Sequence, residues 1–340
     1  MSRTRLPLSV AATLMAGTAL ADVPDVAVDI APVHSLVARV MEGIGTPDLI
    51  VAPGATPHEY SLRPSEAAAL QEADLVFWIG PGLTPWLADA ISTVATGAAV
   101  TELLEADGVT RLPIREGALF EAHVHDHGEE EHAHDEHDNH GDEGHDDHGH
   151  DNHDDEGRGD HEDAHAGHDH GAHDPHAWLS PDNAAVWLNA IAAQLSQADP
   201  GNAGAYFANA TAARAELDSL SNDIDAMLDP VRDGRFIVFH DAYQYFESAF
   251  DLPASGAISL SDATDPSPAR IAEIRARVDE QGVTCVLAEP QFDPGIVTAV
   301  MEGSEASTGV LDPLGSDLAP GPELYPAMMR GLASTLADCL

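Results

Sequence analysis

The chain has 340 residues, with 59 acidic residues against 14 basic ones, all of them arginine, and a net charge of −45. That balance excludes a nucleic-acid backbone and an anionic membrane surface as natural partners, because each is held by clustered Lys or Arg, and it points to a cation as the ligand. The apolar fraction of 44% lets most of the chain fold, and the length allows two domains or one large one.

The N-terminus reads as a secretory signal. Arg3 and Arg5 precede the apolar run Leu6 to Ala16, and Ala19-Leu20-Ala21 fits small-residue cleavage, with Asp22 the first mature residue. The run is too short to span a bilayer, and no other run reaches the ~18 apolar residues a span needs. No membrane anchor is therefore expected.

From 22 to 120 short apolar runs alternate with helix-like stretches. Val26 to Ile30, Leu49 to Val51, Leu75 to Ile79 and Ala98 to Val100 are expected strands. Ser35 to Glu42, Ser65 to Glu72 and Pro85 to Thr93 are expected helices, with Ser65 and Glu66 suited to a helix start. This rhythm predicts an α/β lobe with a parallel sheet and flanking helices.

The segment 121–174 breaks the pattern. It holds 16 of the 20 His and 21 of the 59 acids, with Arg158 its one basic residue. Almost free of large apolar residues, it cannot offset its own ordering entropy and is expected to be disordered. Its closely spaced imidazoles (His123, His125, His127, His132, His134, His148, His150, His168 and His170) suit weak binding of zinc, copper or nickel. A solvated acidic spacer is the alternative.

Residues 175–202 complete the first lobe, with Pro181 to Leu195 helical. Ala203 to Leu228 predicts a second helix of about 39 Å at 1.5 Å per residue, a linking helix over 203–229. A second α/β lobe follows over 230–340. Its expected strands are Phe236 to Phe239, Ser255 to Ser259 and Thr284 to Ala288. Its expected helices are Tyr243 to Phe250, Pro268 to Gln281, Phe292 to Met301 and Pro322 to Leu340. Cys285 and Cys339 are the two cysteines. In an oxidising compartment they read first as a disulfide, with two separate buried thiols as the alternative.

Outside the His-rich segment four histidines remain: His34, His58, His176 and His240. Each falls at or beside a predicted strand end or loop, where parallel sheets gather their ligand sites. Three neutral imidazoles and one oxygen make a tetrahedral zinc site.

Five motifs in order carry a resemblance. GATPHEYSLRPSE (Gly54 to Glu66) and HAWLSP (His176 to Pro181) resemble metal-binding stretches of the periplasmic zinc-binding proteins of ABC importers, the ZnuA-like family. VFHDAYQYFE (Val238 to Glu247), TCVLAEPQF (Thr284 to Phe292) and LDPLG (Leu311 to Gly315) continue the likeness. The resemblance implies two α/β lobes, a long linking helix and one metal in the cleft between them. It implies His58, His176 and His240 as ligands and a disulfide between Cys285 and Cys339. Asp312 matches a position that supplies a carboxylate in many relatives. A Glu precedes the first ligand in some zinc members; here Pro57 does, so the fourth ligand is Asp312 or a water. Glu59, beside His58, is a candidate for orienting a ring, and Glu289 and His34 for lining the cleft. Asp241 is expected to cap the helix after His240, and the tryptophans to pack.

The expected function is capture of Zn²⁺ in the periplasm and its delivery to the membrane permease and ATPase subunits of an ABC zinc importer, by a monomer with no catalytic role. One alternative is a manganese- or iron-binding protein of the same family, which His240 disfavours. Another is a zinc hydrolase, which needs three ligands, an open water position and a general base, and no GxSxG nucleophile motif is present. A third is a metal buffer in which the His-rich segment alone is functional.

Overall fold

A computed structural model of the protein describes residues 23–115, 117, 173–259 and 266–340. The expected signal, 1–21, and the His-rich segment, apart from His173 and Asp174, lie outside the described residues.

Two lobes, each on a four-stranded parallel sheet, are joined by a long helix. The first runs β1 (Val26–Val28), α1 (Ala31–Val40), β2 (Asp48–Leu49), α2 (Pro64–Glu72), β3 (Leu75–Trp78), α3 (Pro85–Val94) and β4 (Ala99–Glu102). Its strand order is β2-β1-β3-β4, every pair parallel. After a 3₁₀ turn at Ala177–Leu179 come α4 (Pro181–Ala198) and the 26-residue α5 (Ala203–Leu228). The second lobe runs β5 (Phe236–His240), α6 (Gln244–Phe250), β6 (Gly256–Ser259), α7 (Pro268–Gln281), β7 (Cys285–Ala288), α8 (Pro294–Met301), β8 (Ser307–Val310) and α9 (Leu324–Cys339). Its order, β6-β5-β7-β8, again all parallel, repeats that of the first lobe.

Strand alternation places helices on both faces of each sheet. Val26 and Val28 of β1, with Phe236 and Val238 of β5, enter one large core shared with α1, α4, α5 and α9. Ala27 turns the other way, with Leu70 and Leu87, and Ile237 and Phe239 likewise meet Ile274 and Val278. α5 buries Tyr206, Ala210, Ala213, Leu217, Leu220, Ile224 and Leu228, a three-or-four-residue stripe that fixes its packed face.

Several expected boundaries move for local reasons. β1 stops at Val28 and α1 starts at Ala31, with Pro32 in its first turn, where a missing N–H costs nothing. His34 therefore sits inside α1 and not at its start. α2 begins at Pro64. The Glu66 carboxylate accepts the Arg63 N–H at 2.7 Å, so Glu66 closes that helix start and Ser65 does not. β8 was not expected at all: Ser-Thr-Gly-Val is mostly exposed, and as an edge strand it needs little apolar surface.

In each sheet the first strand lies inside, with its successors on opposite sides. The crevice beyond the carboxyl ends of such strands is where open α/β sheets bind ligands. In the first lobe Asp29 closes that point. Its Oδ1 accepts the Ile30 N–H at 2.8 Å and its Oδ2 the Ile79 N–H at 2.7 Å. Burial pushes its carboxyl up to about 7, against the lowering effect of those N–H groups. In the second lobe the corresponding strand ends carry His240 and Glu289.

The last helix fastens the halves together. The Tyr325 N–H donates to Ser35 Oγ at 2.9 Å, and the Tyr325 hydroxyl donates to the Trp178 carbonyl at 2.8 Å. A disulfide joins Cys285 of β7 to Cys339 at the end of α9, with Cα atoms 5.7 Å apart. The bridge spans 54 residues, for which chain entropy gives about 4 kcal/mol. Cys285→Ser with Cys339→Ser is expected to lower the melting temperature by roughly 8 °C, and denatured, non-reduced native protein should show no reactive thiol. No described helix is long and apolar enough to cross a membrane.

Candidate metal centre

His58, His176 and His240 converge in the cleft. Each offers one ring nitrogen, and these three atoms lie within 4.8 Å of one another. Ring centroids stand 5.5 Å apart for His58 and His176, 5.3 Å for His176 and His240, and 6.5 Å for His58 and His240. Among the described residues they form the one group of three or more His, Cys, Asp or Glu that could hold a metal ion.

Each histidine is placed by a different device. His58 lies on the loop after β2. The preceding Pro57 carbonyl accepts the Trp86 Nε1–H at 2.7 Å, and Trp86 packs on Tyr60. Trp86 thus fixes the loop that carries His58, more than the packing role expected of it. His176 precedes the 3₁₀ turn and is 6% exposed. Its backbone N–H donates to Asp174 Oδ1 at 2.9 Å, and its Nδ1 meets the same oxygen at 2.7 Å. His240 ends β5 and is also 6% exposed. Glu289, just past β7, accepts its backbone N–H at 3.2 Å and meets its Nδ1 at 2.7 Å with Oε1.

A carboxylate on Nδ1 fixes the tautomer: the proton sits on Nδ1, and Nε2 keeps the lone pair a metal needs. The carboxylate also raises the basicity of that ring. Both pairs are shielded from solvent, with Asp174 and Glu289 each 4% exposed. Burial pushes the Asp174 carboxyl up to about 7, opposed by the His176 N–H and by the charge of Arg115. Trp178, Phe292, Pro313 and Leu314 line the same pocket and give it apolar walls. The Trp178 Nε1–H donates to the Pro313 carbonyl at 2.8 Å across the cleft.

The remaining candidates lie apart from this group. Asp312 is committed to its own turn. Its Oδ1 accepts the Leu314 and Gly315 N–H groups at 3.1 Å each, and its Oδ2 accepts the Ser316 N–H at 2.5 Å. Gln291 Nε2 donates to Oδ1 at 3.4 Å. Glu59 is exposed. His34 is buried in α1 with Nε2 on the Pro47 carbonyl at 3.0 Å, and burial lowers its pKa against the effect of that carbonyl and of Asp48. Asp241 does not cap α6: it takes the Arg115 guanidinium, with Nε 2.9 Å from both carboxylate oxygens. Asp174, read in sequence as the last residue of the His-rich segment, belongs to the site; its D-x-H spacing to His176 was the available signal. The nine histidines of the segment named as weak sites, from His123 to His170, lie outside the described residues. So does an HExxH string, His161 to His165, in a tract without the apolar helical pattern that motif needs.

Residues 26–339 match the family described as zinc-uptake complex component A, periplasmic (ZnuA). The chain is 49% identical over 315 residues to the high-affinity zinc uptake system protein ZnuA of Brucella abortus, covering 93% of this chain and 91% of that one. It is 46% identical over 336 residues to the protein of that name from Paracoccus denitrificans, covering 98% and 97%. A crystal structure of ZnuA superposes with a TM-score of 0.70 at 22% identity, covering 94% of this chain and 99% of that one.

Proposed function

The chain belongs to the ZnuA family of periplasmic solute-binding proteins, and from that premise we propose that it captures Zn²⁺ and delivers it to the permease and ATPase subunits of an ABC zinc importer. The observation that carries the reading is the convergence of His58, His176 and His240, two of them oriented by buried carboxylates. An all-imidazole set suits zinc, whereas manganese favours oxygen donors. We assign the three histidines as ligands and water as the fourth, because the Asp312 carboxylate is spent on its turn. Glu289 and Asp174 orient rings. The protein has no chemistry to perform on the metal: it must hold the ion and release it, so we assign it no catalytic activity.

Calorimetric titration of the whole chain should give one tight zinc per protein and several weak ones. Deleting residues 121–168 should abolish the weak class and keep the tight one. That deletion stops short of Asp174, whose loss would disturb His176. Disappearance of the tight site on deletion would favour a metal buffer and overturn the assignment.

A further inference from the structure

We propose that Arg115 is a positioning residue for the metal centre, holding the turn after β5, and His240 with it, in register with the stretch that carries Asp174 and His176. The inference rests on the ligand assignment above. Arg115 lies far in sequence from all three histidines. Its guanidinium is forked between two carboxylates of the second lobe. Nε lies 2.9 Å from both oxygens of Asp241, and Nη1 and Nη2 each lie 2.9 Å from an oxygen of Glu247. Asp241 directly follows His240. Glu247, on α6, also accepts the Ala254 N–H at 3.1 Å, so the acceptor pair is itself held.

A second stitch runs beside the first. The Tyr245 hydroxyl, also on α6, accepts the Leu112 N–H at 3.0 Å and donates to the Asp174 carbonyl at 2.9 Å. The Leu112 carbonyl accepts the Asp174 N–H at 2.8 Å. Residues 112–115 are thereby bonded on one side to the residue that orients His176 and on the other to the turn that carries His240. The Arg115 side chain is 19% exposed, and those of Asp241 and Glu247 are 7% and 6% exposed. A fork of fixed geometry onto two such carboxylates sets distance and angle as well as charge. A chain of this kind fixes the separation of two ligands that come from different lobes.

The test uses the full chain with Arg115→Met, Arg115→Lys and Tyr245→Phe. Zinc affinity is read by chelator competition, and site geometry by the visible spectrum of the Co²⁺-loaded protein. Arg115→Met is expected to weaken zinc roughly 10- to 100-fold, the range for groups that orient ligands from behind, and to change the Co²⁺ bands. Arg115→Lys should recover part of the loss, because an ammonium keeps the charge but not the fork. Tyr245→Phe, a milder change, should weaken zinc several-fold. A purely structural role would lower the melting temperature and leave the Co²⁺ spectrum as it was. A folded Arg115→Met protein with native affinity and spectrum overturns the proposal; if that variant does not fold, the same result for Tyr245→Phe does. His240→Ala in the same series separates the two levels. Native affinity there would sink the ligand assignment itself, whereas a loss there beside a silent Arg115→Met sinks only the positioning role.

Discussion

Replacing His240 by alanine is expected to weaken zinc binding about 100- to 1000-fold and to leave the zinc-free fold nearly intact. Structural zinc sites with four ligands bind with ~10–16 kcal/mol near neutral pH. One ligand of four is then worth about 3–4 kcal/mol, and each 1.4 kcal/mol is tenfold. The fold should tolerate the change because the ring projects into the cleft, while the backbone N–H of residue 240 can still hold Glu289. His34→Ala provides the contrast. His34 stands outside the histidine group and bonds the Pro47 carbonyl, so its loss should cost stability and change zinc affinity little. Chelator competition ranks the two, and a larger affinity loss for His34→Ala would remove His240 from the ligand set.

Zinc should raise the melting temperature strongly near pH 7–8 and much less at pH 5. A ligand confined to the native state adds RT ln(1 + [L]/Kd), about 4 kcal/mol at a thousandfold excess over Kd. Two groups of protons oppose it as pH falls. An imidazole of ordinary pKa, ~6.5, must lose its proton to bind metal, which at pH 5 weakens binding roughly 30-fold per ring. Asp174 acts in the same direction. Its folded carboxyl is pushed up to about 7 by burial, well above the ordinary range of an aspartate, so without metal the folded state holds a proton there that the unfolded chain lacks across that interval. This proton makes the zinc-free fold relatively more stable as pH falls through 7. Zinc on His176 favours the ionised Asp174 that accepts the Nδ1 proton, so metal binding must expel the extra proton. Melting curves with and without zinc, on protein lacking 121–168, measure the difference. A zinc effect undiminished at pH 5 would contradict a three-imidazole site.

Most of the fold was legible because apolar runs and helical spacing alternate in a parallel rhythm; setting the His-rich tract aside left four histidines, and the family resemblance singled out the three that converge. What escaped had no pattern of its own. β8 carries a single large apolar residue and owes its place to pairing with β7. Asp174 was hidden by composition: among so many acids, the one that is buried looks like the others. Glu59 stands beside His58 in sequence but is exposed, and adjacency alone does not say which way a side chain turns. Asp312 matches a ligand position, and its turn also makes it the acceptor for the N–H groups of Leu314, Gly315 and Ser316, a demand that shows only in three dimensions. Arg115 is the clearest case. Its partners lie 126 and 132 residues away, beyond any local signal.

The packing of α9 against α1 bears on how the chain comes to be folded. Tyr325 reaches Ser35 across 290 residues, and Tyr325, Met328, Met329 and Leu332 share a core with Leu36 and Val40. A chain appearing N-terminus first therefore has no finished interior until α9 arrives. Contacts of such long separation are slow to form, because loop closure precedes the contacts that stabilise it. The Cys285–Cys339 bond, which joins β7 to α9, likewise waits for α9 and needs a compartment where oxidants are available.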